Sequence, residues 1–77
     1  MSQDLIRALD LLEAGDWEGA HVIAQDDPGA AAAWLHAHLH RVEGDAPNAA
    51  YWYRRAGRPV FDGSEAEERE ALRAALG

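Results

Sequence analysis

The chain contains no cysteine, which excludes disulfides and thiolate metal centres at the outset. Lysine is missing as well: the 7 cations are all Arg, set against 14 acidic residues for a formal charge of -7. Nucleic-acid binding draws on clustered basic surface, so this balance speaks against it. No stretch approaches the roughly 20 apolar residues that a membrane span requires. The opening Met1-Ser2-Gln3-Asp4 lacks the basic region and apolar run of a signal peptide. These absences predict a cytoplasmic protein that contacts neither nucleic acid nor membrane. Enzyme signatures are missing too. Ser2 and Ser64 both stand at expected helix starts, which accounts for them as caps and leaves no credible nucleophile. Gly57-Arg58-Pro59 does not resemble a phosphate loop, and Asp26-Asp27 reads as a solvated turn.

What is present suits helices. Ala is abundant, Val and Ile are scarce, and 48% of residues are apolar. The spacing predicts one all-α domain over residues 1–77 with about five helices and four breaks. A first helix runs from about Gln3 to Ala14, with Ser2 as a possible N-cap and Leu5, Leu9 and Leu12 on one face. Gly15 stops it, and Asp16 caps a second helix from Trp17 to about Gln25, with Trp17, Ala20, Ile23 and Ala24 inward. After Asp26-Asp27-Pro28-Gly29, a third helix spans about Ala30 to Glu43, its core face being Ala31, Leu35, Leu39 and Val42. Gly44 ends it, and Asp45 caps a fourth helix reaching Ala56, with Ala49, Trp52, Tyr53 and Ala56 inward and Pro47 tolerated in its first turn. Val60 and Phe61 are expected to plug the core from an extended segment. Ser64-Glu65-Ala66-Glu67 has capping-box form and opens a fifth helix with Leu72 and Leu76 inward.

An internal repeat is visible in these elements. Gly15-Asp16 with Ala20 recurs as Gly44-Asp45 with Ala49, 29 residues further on, and Leu5-Ile6 corresponds to Trp34-Leu35. The expected architecture is two tetratricopeptide-like antiparallel hairpins, about 3–25 and about 30–56, closed by a capping helix of about 64–76. Tetratricopeptide repeats usually run about 34 residues, so the shorter period marks a relative or a mimic.

Three strings carry a family resemblance: Trp17-x-x-Ala20-His21, His36-Ala37-x-Leu39-His40-Arg41-x-Glu43-Gly44-Asp45, and Asn48-Ala49-x-Tyr51-Trp52-Tyr53-Arg54-Arg55-Ala56-Gly57. Over about Trp17 to Phe61 the chain resembles a group of small uncharacterised helical proteins of bacteria and some fungi. The resemblance implies a tetratricopeptide-like fold and no known activity.

Three constellations could carry function. His36, His40 and Glu43 share a narrow arc of the third helix, and His21 could join them if the second and third helices pack side by side. Two His at i and i+4 with a nearby carboxylate suit Zn²⁺ or another transition metal. The preferred reading of this arc is structural, with the imidazoles half-buried and bonded to Glu43, Asn48 or Tyr51. His38 points elsewhere. The second constellation is Asn48, Tyr51 and Arg55, with Arg41 and Glu43 nearby, as a carboxylate or peptide pocket; a surface ladder of hydrogen bonds is preferred there. Arg54, Arg55 and Arg58 read as cations answering a helix C-terminus. The third is aromatic: Trp17, Trp34, Tyr51, Trp52, Tyr53 and Phe61 point in too many directions for one interior. An apolar patch including Trp34 or the Tyr51/Trp52 edge is therefore expected on the monomer. Folding of a chain this size buries only about 60% of its surface. The favoured function is accordingly protein–protein contact, including self-association as a dimer, without a cofactor. The alternative is a metal-binding protein using the His36/His40/Glu43 arc.

Overall fold

The computed structural model describes residues 3–77 and contains five helices, with no strand among the described residues. They are α1 (Gln3–Glu13), α2 (Trp17–Gln25), α3 (Ala30–Glu43), α4 (Ala46–Ala56) and α5 (Glu65–Leu76). Ser2, the possible cap of the first helix, lies outside the described residues.

The repeat is legible in the backbone. Gly15 and Gly44 adopt φ of 95° and 90°, a left-handed conformation that only glycine enters without strain. Asp16 N–H donates to the Leu11 carbonyl at 2.8 Å, and Asp45 N–H donates to the His40 carbonyl at 2.9 Å. Gly15 and Gly44 likewise donate to Leu12 and Arg41, each at 3.0 Å, which completes the same six-to-one and five-to-two closure on both helices. Each aspartate then caps the next helix: Asp16 accepts from Gly19 N–H at 2.9 Å and Asp45 from Asn48 N–H at 3.3 Å. Two tight αα hairpins follow, α1–α2 and α3–α4.

α3 is the central element and packs against α2, α4 and α5. The periodicity assigns it one core face, yet residues Ala32 through His40 are all buried. Three stripes meet three surroundings. Ala32, Leu35 and Leu39 enter the apolar core with Leu5, Leu9, Ala20, Ala49 and Leu72. His36 and His40 face the rings of α2 and α4. Trp34, His38 and Arg41 meet α5.

α5 begins with the expected capping box. Glu67 N–H donates to Ser64 Oγ at 3.0 Å, and Ser64 N–H donates to the Glu67 carboxylate at 2.8 Å. Arg73 fastens it to α1 through Asp10 and Glu13, both at 2.8 Å. Phe61 packs on the core as expected, but Val60 does not: it is 59% exposed. Alternation along an extended segment sends the neighbour of an inward residue outward.

Candidate functional site

Trp17 and His21 stand four residues apart on α2 and therefore share a face; so do His36 and His40 on α3. Trp17 Nε1 donates to the Leu39 carbonyl at 2.7 Å, which pins the start of α2 to α3. Its ring stacks on His21 with centroids 4.8 Å apart. From the other side, Trp52 of α4 stacks on His36 at 3.9 Å and 12°. Between these indole walls lie three imidazoles, with centroid separations of 4.6 Å for His21–His36, 4.9 Å for His36–His40 and 5.5 Å for His21–His40. One ring nitrogen from each of the three lies within 4.8 Å of the others.

The sequence places Glu43 in this set, and the structure gives it a particular partner. His40 Nδ1 is 2.7 Å from Glu43 Oε1, so the imidazole donates from Nδ1 to the carboxylate and leaves Nε2 outside that bond. Glu43 thus acts on the cluster through His40. His36 Nδ1 is buried without a hydrogen-bond partner in the chain. An unpaired buried polar atom costs about 1–3 kcal/mol, and His38 Nε2 on the far side of α3 is in the same condition.

Burial and neighbouring rings favour the neutral imidazole at His21 and His36. Burial, with the adjacent His21 and His40 rings, lowers His36 to about 4. His21 is also lowered, first by burial and then by His40, against the weaker opposing pull of Glu18 and Glu43. Neutral imidazole is the metal-ligating form.

A second polar centre occupies the opposite side of α3, and the sequence reading missed its hub. Glu68 is fully buried. Its Oε1 accepts from His38 Nδ1 at 2.6 Å and from Arg41 at 3.0 Å; its Oε2 accepts from Trp34 Nε1 at 2.9 Å and Tyr53 OH at 2.5 Å. Burial alone would raise the carboxyl, but hydrogen bonds from His38, Tyr53 and Trp34 outweigh it and hold Glu68 at about 2. Burial, and then the same contact, push Tyr53 up. A signal was available: Glu68, Leu72 and Leu76 recur at intervals of four, so Glu68 falls on the inward stripe of α5.

The α4 residues weighed as a carboxylate pocket, with a surface ladder preferred, hold other partners. Arg41 turns away to bond Glu68 and the Gly63 carbonyl. Glu43 pairs with His40, not with an arginine. Asn48 reaches back to Asp45 at 3.4 Å, and Arg55 donates to the Tyr51 hydroxyl at 2.8 Å, making a short surface ladder. Arg55 also lies over the Trp52 ring, 5.2 Å from its centroid. Arg54 is exposed in the last turn of α4.

Of the two places expected to carry an apolar patch, the Tyr51/Trp52 edge keeps Tyr51 41% exposed, whereas Trp34 is covered. Its ring is 4% exposed, bonded to Glu68 and covered by the Arg58 guanidinium 3.6 Å from its centroid. Arg58 thus serves as a cation–π lid beyond the helix end. The aromatic rings do diverge, but the imidazoles on one side of α3 and Glu68 on the other supply partners inside the chain. Comparison with known protein families, with curated proteins and with solved structures returned no match.

Proposed function

We propose that the protein binds one transition-metal ion of the Zn²⁺ type through His21, His36 and His40. The observation that carries this reading is the convergence of one nitrogen from each imidazole within 4.8 Å, across two helices. Metal–nitrogen bonds of about 2.0–2.1 Å in a tetrahedron set imidazole centroids roughly 5 Å apart. The separations of 4.6, 4.9 and 5.5 Å bracket that value. Lowered basicity at His21 and His36 leaves those rings unprotonated near neutral pH. The bond from Glu43 fixes His40 in the manner of the carboxylate–histidine–metal arrangement. An all-nitrogen donor set suits Zn²⁺, Cu²⁺, Ni²⁺ or Co²⁺ over Ca²⁺ and Mg²⁺, which take oxygen ligands.

The test is metal titration of untagged protein by calorimetry with elemental analysis. One Zn²⁺ per chain, a raised melting temperature and loss of binding in His40→Ala are expected. A chelator-insensitive melting temperature with no stoichiometric metal would return the cluster to the role of a stacked-ring spacer between α2 and α4.

A second reading, dimerisation through the outer edge of a tetratricopeptide-like hairpin, has Tyr51 in its favour, 41% exposed on α4. The chain's charge of -7 opposes close approach, so such a contact would strengthen with salt. Light scattering at low and high salt checks it, and a monomer under both conditions removes it.

A further inference from the structure

We infer that the bound ion is completed from outside the chain, its fourth position taking water or a small exchangeable monodentate ligand. The inference rests on the tri-histidine reading above and concerns what that site accepts. Three imidazole nitrogens converge, and the carboxylates closest at hand are engaged elsewhere. Glu43 accepts from His40 Nδ1 at 2.7 Å. Moving Glu43 onto the ion would release the ring it steadies. Asp45 lies within 4.8 Å of His40 and Glu43 but caps α4, accepting from Asn48 N–H at 3.3 Å and from the Asn48 amide at 3.4 Å. Glu18 bears on His21 through its charge, yet falls outside the group of converging atoms. The indole of Trp17, a donor without a lone pair to offer, is spent on Leu39.

Sites with four protein ligands are closed and structural, whereas three ligands leave a position for solvent or substrate. The burial pattern gives that position a direction. His36 and His40 are 4% and 7% exposed, while His21 is only partly buried, so solvent meets the cluster on its α2 side. Trp17 and Trp52 close its flanks against the His21 and His36 rings and limit the entrant to a small ligand. With three neutral imidazoles the ion keeps its full double charge, which favours an entering anion or ionised water.

Co²⁺ serves as the probe because its visible spectrum reports coordination. Untagged protein loaded with Co²⁺ is titrated with azide. The expected result is a change in the visible bands that saturates at one azide per ion. A cobalt spectrum indifferent to azide overturns the open position while leaving the metal site intact. In that case Glu43→Gln identifies the occupant: azide response appearing only in the variant makes Glu43 the fourth ligand. Failure of the wild type to bind either Co²⁺ or Zn²⁺ removes this inference and the metal reading together.

Discussion

Nδ1 of His38 lies 2.6 Å from Oε1 of Glu68, and both side chains are completely buried. A carboxylate taken out of water is tolerated only where hydrogen bonds replace its hydration. Here four donors from α3 and α4 do so, and the one acceptor ties α5 to both helices. α5 is therefore held by a polar plug beside Leu72 and Leu76, in addition to its surface contacts with α1.

Removing the hub should be far more damaging than removing one spoke. Glu68→Ala strands His38, Tyr53, Trp34 and Arg41 and should destabilise by about 3–5 kcal/mol. Tyr53→Phe deletes one bond to a charged acceptor and should cost about 1.5–3 kcal/mol. Urea unfolding followed by circular dichroism measures both. Equal losses would mean that Tyr53 carries the network and Glu68 merely follows.

Acid should weaken the metal-free protein in two stages. His36 is lowered from 6.5 to about 4, so on acidification the unfolded chain takes up its proton first, and stability falls between those values. His21, also lowered, adds in the same sense. Glu68 is lowered from 4.5 to about 2; its contribution is complete above 4.5 and disappears as the pH drops toward 2. Each full window is worth about 3 kcal/mol at one pKa unit per 1.36 kcal/mol. Unfolding midpoints at pH 7, 5 and 3 should decline in order, and His36→Gln should flatten the first interval. A midpoint unchanged between pH 7 and 5 contradicts the burial of neutral imidazoles.

Two carboxylates close together in sequence should separate by phenotype. Glu43→Gln should weaken metal binding by about 10–100-fold, because His40 loses the partner that orients it. Asp45→Ala should leave metal affinity largely unchanged and cost about 1 kcal/mol of stability through the lost cap. Calorimetry and urea unfolding on the two variants distinguish a ligand-orienting role from a capping one.

Tryptophan emission should report the site unevenly. Trp17 and Trp52 stack on His21 and His36, so Cu²⁺ at the cluster should quench them. Trp34 faces Glu68 on the other side of α3 and should respond least. Trp17→Phe/Trp52→Phe should retain emission but lose most of the quenching. Strong quenching in that double variant would place copper elsewhere.

Local physics was enough to read the helices and their caps from the sequence. Gly44 followed by Asp45 specifies a left-handed stop and an N-cap with no help from distant residues, and Ser64 with Glu67 specifies a capping box in the same way. The i, i+4 spacing likewise aligns His36 with His40, because it depends only on helical pitch. The tertiary structure decided what those local faces meet. The apolar stripe of α3 was legible, but burial around its whole circumference was not, since that depends on three other helices closing over it. His21 joined His36 because α2 packs beside α3, and Trp34 turned from an expected surface patch into a core donor because α5 delivered a carboxylate to it. Its charge marks Glu68 as a surface residue, although its spacing to Leu72 and Leu76 puts it on the inward stripe of α5. Only the assembled interior supplies the four donors that make its burial stable, and that compensation belongs to contacts 15 to 34 residues away along the chain.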